Sequence, residues 1–248
     1  MYGSTVPFGP GVPWAASGGT GARSAAGRRA PGTVEDGAPS EAVTYEPIDY
    51  WSRLHARGDL SAVGQSALPA ELNAWLYRAL ARNVRRFLRS ARLAVPERVF
   101  DVGSGTGFWP RFWHRLGARR VDGCDLVPEA VERLRASELG RAGRFVVADV
   151  SRPEQLPDET YPLVSCMNVL LHVVADGPFE RALGGIARLV EPGGVLLLVE
   201  PILLDARFER PYEPGRASRA RPLERYLGPL EAAGLRLERL APAVVLAN

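Results

Sequence analysis

The sequence predicts an α/β fold with a central, mostly parallel sheet and helices on both faces. Three observations predict it. Short runs rich in Val and Leu alternate with helical stretches between Val99 and Val199, and such alternation builds parallel strands joined by helical crossovers. The runs are apolar at nearly every position, as expected of strands covered on both faces. The first of them, Val99 to Val102, passes directly into Gly103, Gly105 and Gly107, and a helical pattern follows at once. Strand, glycine turn and helix is the layout of a nucleotide-like cofactor site, where the backbone must approach a ligand without Cβ atoms in the way.

The elements follow in order. Residues 1–41 are rich in Gly and Pro and lack Leu and Ile. Such a stretch cannot bury enough apolar surface to offset its ordering entropy, which predicts a disordered tail. Residues 42–94 read as an N-terminal helical cap. It has a short helix around Tyr50 and Trp51, a loop through Gly64 and Gln65, and a helix from Pro69 with Leu72, Leu76, Leu80, Val84 and Leu88 at helical spacing.

Residues 95–248 read as the main domain, with strands at 98–102, 120–125, 144–148, 163–167 and 195–199. Phe108/Phe112 and Trp109/Trp113 pair one helical turn apart and suit helix-on-sheet packing. Pro128 opens the next helix. Phe179, Leu183, Ile186 and Val190 share the face of another, which Glu191-Pro192-Gly193-Gly194 is expected to stop. Residues 205–222, rich in Arg and Pro, read as a long loop. Pro222 then opens a helix ended by Gly234, and 235–246 would hold one strand or a cramped pair.

Composition narrows the function. An apolar content of 46% suits a globular protein. No apolar run exceeds Val195–Val199, which stops at Glu200, and the N-terminus has no continuous apolar region, so neither a membrane span nor a signal peptide is expected. Cys124 and Cys166 sit in strand-like contexts and read as reduced core thiols of a cytoplasmic protein. Two separated cysteines and three scattered histidines have no metal-ligand spacing. The net charge is only +3, and no basic run carries interleaved aromatics, so no nucleic-acid partner is expected.

The glycine run discriminates among nucleotide sites. A dinucleotide fingerprint would need its third glycine where Phe108 stands, and a phosphate-binding P-loop needs a lysine, which this chain lacks altogether. Asp125 ends the second strand 20 residues after Gly105, a spacing that suits a carboxylate on ribose hydroxyls. The pattern Asp101-x-Gly103-x-Gly105-x-Gly107, followed by the ordered strand ends and by Leu189-Val190-Glu191-Pro192-Gly193-Gly194, resembles class I S-adenosylmethionine (SAM) methyltransferases. The likeness runs over roughly residues 45–246 and is nearest to the bacterial small-molecule type, with a Rossmann-like sheet.

That resemblance implies roles. Gly103, Gly105 and Gly107 would meet the methionine part of SAM, with Asp101 just behind, near the ammonium. Asp125 would take both ribose hydroxyls, Leu126 would flank the adenine, and Asp149 would accept from the adenine amino group with Val150 beside it. Asn168 would lie where the fourth strand opens over the sulfonium. Tyr50 and Trp51 would fold over the cofactor, where an aromatic face attracts a cation, and Gln65 would contact the methionine carboxylate. His172 is the first candidate base and Glu200 the second, with His55 a third. Each has a structural alternative: Asp125 and Asp149 as helix or turn caps, Tyr50 and Trp51 as packing, His172 bonded to backbone, and Glu200 paired with an arginine.

The expected activity is methyl transfer from SAM to a small molecule. A peptide or protein N-terminal methyltransferase, which would need an open acidic groove, and a catalytically silent SAM-fold binding protein are the alternatives. The family usually closes its sheet with two antiparallel strands, for which the stretch after Gly234, interrupted by Pro242, is short. The loop 205–222 is expected to cover the substrate mouth, with at least one of Arg207, Arg210, Arg216, Arg219 and Arg221 reaching inward toward an anionic or carbonyl-bearing substrate; the alternative is that these arginines are solvated.

Overall fold

The computed structural model describes residues 45–64, 68–213 and 215–243. The expected tail over 1–41 and Gln65 lie outside the described residues.

Five parallel strands form the sheet: β1 (Arg98–Val102), β2 (Arg120–Asp125), β3 (Phe145–Val147), β4 (Tyr161–Met167) and β5 (Val190–Val199). Their spatial order is β3-β2-β1-β4-β5. The order reverses direction at β1, whose neighbours are β2 on one side and β4 on the other. A crevice forms there because the crossovers on the two sides leave in opposite directions, and ligands of open parallel sheets bind at such a point.

Alternate residues of β1 feed two cores. Val99 packs with Trp109, Phe112 and Trp113 of α3 (Phe108–Arg115) and with Leu80, Val84 and Leu88 of α2 (Ala70–Ser90). Phe100 and Val102 pack instead with Phe179, Leu183 and Ile186 of α6 (Asp176–Arg188) and Tyr226 and Leu230 of α7 (Leu223–Ala232). The period of two thus divides a nearly all-apolar strand between two helical layers. A smaller cluster of Val131, Leu134, Leu139 and Phe145 joins α4 (Pro128–Ala136) and α5 (Leu139–Ala142) to β3. The cap contributes α1 (Pro47–His55), which belongs with α2 to the same compact unit as the sheet.

Two elements differ from expectation. The Glu191-Pro192-Gly193-Gly194 turn lies within β5: Val190 pairs with Tyr161, four residues loop out with Gly193 at φ 79°, and pairing resumes at Leu163 and Val195. Gly193 permits the left-handed step that returns the chain to the same strand partner. No strand forms over the described residues after Gly234. The loop 205–222 instead carries a two-residue strand, β7 (Arg221–Pro222), paired in parallel with β6 (Ile202–Leu203). Among the described residues no helix is long and apolar enough to cross a membrane.

Candidate active site

A cavity of about 280 Å³ opens at the carboxyl ends of the strands. Each central strand sends its last residues into the wall: Val102 and Gly103, Cys124 and Asp125, Ala148 and Asp149, Met167 and Asn168. Pro47, Trp51 and His55 of α1, with Val63 and Tyr77, also line it.

The glycine loop is built to lie flat. Gly103 and Gly105 have φ 70° and 52°, and a Cβ at Gly105 would stand 2.9 Å from Val63 Cγ1. Asp125 holds the loop in place: its Oδ2 accepts from Gly105 N at 2.7 Å, and its Oδ1 accepts from Val127 N at 3.0 Å. Both oxygens are engaged, yet a carboxylate oxygen can accept a second hydrogen bond, and Asp125 lines the cavity. The expected capping role for Asp125 therefore takes another form. It ties the ends of β1 and β2 together, while Val127 stands at the N-cap of α4.

Asp101 lies behind the loop and does not line the cavity. It is 1% exposed, and its Oδ1 accepts from Ser165 Oγ at 2.5 Å, which in turn accepts from Trp113 Nε1 at 2.9 Å. Its Oδ2 is buried and has no partner among the described residues. Burial pushes this carboxyl up to about 7. Gly107 also stands outside the cavity wall. At φ 81° it turns the chain into α3, and a Cβ there would meet Leu134 and Leu139 at 2.8 Å. The third glycine thus serves the packing of loop against helix, although its neighbours Thr106, Phe108 and Trp109 line the cavity.

At the β3 end, Asp149 lines the cavity, but its Oδ1 accepts from Ser151 N and Ser151 Oγ at 2.9 and 2.7 Å, and Oδ2 faces Arg152 at 3.6 Å. Leu126 and Val150 lie in the wall beside it, and Asn168 lies in the wall at φ 57°. Trp51 lines the cavity and donates from Nε1 to Tyr45 Oη at 3.2 Å. Tyr50 does not reach it; its ring packs edge-on against Tyr45 and Trp51, because successive helical residues point about 100° apart.

His172 lines the cavity on a short 3-10 turn, Leu170–His172, with its ring edge-on to Trp51 at 4.6 Å. Its Nδ1 meets the Ala217 carbonyl at 2.6 Å. A carbonyl only accepts, so the proton sits on Nδ1 and Nε2 carries the lone pair. Burial lowers its pKa, which keeps the ring neutral. His55 is buried, lines the cavity and is likewise lowered by burial, with Arg133 Nη2 3.4 Å from its Nδ1.

Glu200 is not in the cavity wall. Its Oε1 accepts from Val169 N and Leu170 N at 2.9 and 2.8 Å, and its Oε2 accepts from Leu171 N at 3.0 Å. It caps the turn that bears His172. With its acceptor capacity turned to that backbone, it is not placed as a base toward a ligand.

The loop arginines also fall elsewhere than expected: none lines the cavity. Arg219 and Arg221 do reach inward, but to the Val174 carbonyl and Asp176, while Arg207 pairs with Asp205 and Arg216 with Glu213. Carboxylates and carbonyls of the chain itself take these guanidinium groups. Tyr77, Val63, Ser104 and Thr106 line the cavity without having been singled out from sequence. Tyr77, donating to the Val63 carbonyl at 2.8 Å, closes the cap over the loop. Only its position on the apolar side of α2 could have drawn attention to it.

Comparison with known proteins agrees with this geometry. The family described as a methyltransferase domain matches residues 99–194. Ubiquinone biosynthesis O-methyltransferases from Vibrio cholerae and Yersinia pestis are 36% and 37% identical over 109 and 100 residues. The first match covers 43% of this chain and 43% of the relative, the second 40% of each, so the chain matches less than half the length of these relatives. Among solved structures, a SAM-dependent methyltransferase from Leishmania major superposes with a TM-score of 0.61 at 17% identity, covering 77% of this chain and 72% of that one. DhpI in complex with SAM and HEP superposes at 0.55 with 22% identity, covering 75% and 86%. At such identities these two structures establish the fold. Residues 99–194 thus match the methyltransferase-domain family, and the strand order and glycine loop of the fold agree with that match.

Proposed function

We propose that this protein is an enzyme that transfers a methyl group from SAM to a small-molecule acceptor. The observation that carries the reading is a single cavity. It joins the glycine loop, Asp125 and Asp149 on the β1–β2–β3 side to Trp51 and His172 on the β4 side.

The residues present suit SAM. The backbone of Gly103–Thr106 offers a cradle that a Cβ at Gly105 would narrow. The unpartnered Oδ2 of Asp101 is an acceptor awaiting a donor such as an ammonium group. Asp125 retains lone pairs for ribose hydroxyls, Leu126 and Val150 supply apolar surface for adenine, Asp149 a carboxylate and Asn168 an amide. The Trp51 ring suits a sulfonium by cation–π attraction, on the order of 0.5–2 kcal/mol. When bound, SAM supplies a methyl group made electrophilic by its sulfonium sulfur.

The chain's own contribution is positioning, exclusion of water and a proton acceptor. His172 holds its proton on Nδ1, so Nε2 is free to take the proton that a hydroxyl acceptor gives up. The acceptor side of the wall, formed by Trp51, Val173, Val174, Ala175 and Pro178, has no carboxylate or guanidinium among the described residues. This favours an uncharged, largely apolar small molecule over a peptide amino terminus, which an acidic groove would bind. The relatives named as O-methyltransferases support a hydroxyl acceptor. Two buried, free thiols, Cys124 and Cys166, favour a cytoplasmic location.

Titration calorimetry is the test of the cofactor. SAM and its demethylated product should bind at micromolar level and NADH should not. Absence of heat with either SAM compound, on folded protein, overturns the reading. Label transfer from isotopically labelled SAM into a metabolite extract then separates an enzyme from a silent binding protein.

A further inference from the structure

The Arg-rich segment after the last sheet strand does something that the cavity wall does not reveal. Ala217 presents its carbonyl to His172 Nδ1 at 2.6 Å. Two residues on, Arg219 N donates to the Leu171 carbonyl at 2.7 Å, so the segment runs along the 3-10 turn and bonds to it twice. Side chains then anchor it. Arg219 reaches Asp176 at 2.8 Å and Glu209 at 3.0 Å, and Arg221 donates to the Val174 carbonyl at 2.7 Å. The Arg219 side chain is only 12% exposed, and that of Arg221, stacked 4.0 Å over the Phe179 ring, is fully buried. Buried arginine pairs are costly to form and costly to break, so they hold a segment in one place rather than adding net stability.

We propose that residues 217–221 form a strap that fixes the tautomer of His172, with Arg219 as the positioning residue. The inference rests on the reading of His172 as the proton acceptor of the site. An imidazole that is neutral can carry its proton on either nitrogen, and the hydrogen bond made by one nitrogen decides what the other can do. The strap's carbonyl demands Nδ1–H. It therefore leaves Nε2 as the ring nitrogen able to accept a proton, on a residue that lines the cavity. Without the strap the ring could present Nε2–H and would have nothing to take a proton with. Glu200 works from the opposite side, bonding the backbone of residues 169–171. The turn that bears His172 is thus gripped by a carboxylate beneath it and by the strap beside it.

The chain has three histidines, so their imidazole nitrogens can be resolved by long-range proton–nitrogen NMR on the full-length protein, with His172→Gln assigning the signal. In the native protein His172 should show a protonated Nδ1 and a lone-pair Nε2. Arg219→Ala should shift His172 toward a mixture of tautomers while leaving His55 and His114 in place. Glu209→Gln, a milder loosening of the same anchor, should move it the same way by less, and it serves if Arg219→Ala does not fold. Arg219→Lys should restore the shift only in part, since an ammonium cannot span two carboxylates as the fork does. A native His172 protonated on Nε2, or a folded anchor variant with an unshifted His172, overturns the strap. Calorimetry with SAM on the same samples keeps the two questions apart: loss of SAM binding in the native protein would sink the functional reading and leave the tautomer result standing.

Discussion

At the amino end of the sheet carboxylates meet arginines; at the carboxyl end Asp101, Asp125 and Glu200 meet neutral N–H and O–H donors instead. Glu159 takes both terminal nitrogens of Arg120 at 2.9 Å and also Arg144 at 2.7 Å and Arg98 at 3.2 Å. Asp122 accepts from Arg120 Nε at 3.1 Å and from the Tyr161 hydroxyl at 2.8 Å. At the other end Asp101 has Ser165, Asp125 has two backbone amides and Glu200 has three. Hydrogen bonds from neutral donors settle geometry but leave the charge in place. Of these three only Asp125 stands in the cavity wall, where a cationic ligand would meet it without an arginine partner among the described residues, whereas the amino end spends its charge on holding strands together.

The two ends respond to pH in opposite directions. Hydrogen bonds from Arg120 hold Glu159 below its usual range. Its contribution is present above the ordinary glutamate pKa and fades as pH falls through the depressed value. Burial pushes Asp101 and Glu200 up to about 7. In the folded protein each binds a proton that the unfolded chain releases near pH 4, so their contribution is fullest at low pH and is lost as pH rises toward 7.

Asp125→Ala should have the largest effect and tests the comparison at its centre. It removes the acceptor for Gly105 and Val127 as well as the proposed ribose ligand. Hydrogen bonds to a charged group are each worth roughly 1.5–3 kcal/mol, so the ligand-free melting temperature should fall clearly, and SAM affinity by more than tenfold. A fall in stability alone, with affinity intact, would make Asp125 a loop tether only.

Asp101→Asn sharpens the pH argument. At pH 8 the variant is relieved of a buried charge, and its ligand-free stability should rise on the order of 2 kcal/mol. Below about pH 4, where the carboxyl is protonated in the unfolded chain as well as in the folded one, the two proteins should melt together. SAM binding should weaken at pH 8 if Oδ2 meets the ammonium. A pH-independent stability difference would show that the carboxyl is not the group that titrates.

Glu159→Gln should have the smallest effect, because its side chain and its partners are partly solvated. A loss of about 1 kcal/mol or less is expected near neutrality, shrinking with added salt and toward pH 3. SAM affinity should not change. An affinity loss as large as that of Asp125→Ala would erase the distinction between the two ends.

Much of this was legible in the sequence because it is local. Alternating apolar runs and helical periods set the parallel sheet, since periods of 2 and 3.6 decide which faces can be buried. Three glycines after a strand set the loop, and the interval from Gly105 to Asp125 set one carboxylate at the next strand end; the two meet at 2.7 Å. What a polar group bonds to was not legible, because the partner comes from a distant part of the chain and the nearest suitable donor wins. So Glu200, read as a possible base, became the cap of the His172 turn, and Arg219 and Arg221, read as possible substrate ligands, were taken by Asp176 and the Val174 carbonyl. Gly107 and Tyr50 left the cavity for packing, and Tyr77 and Val63 entered it. Periodicity says that a face is buried, whereas only the tertiary structure decides against what.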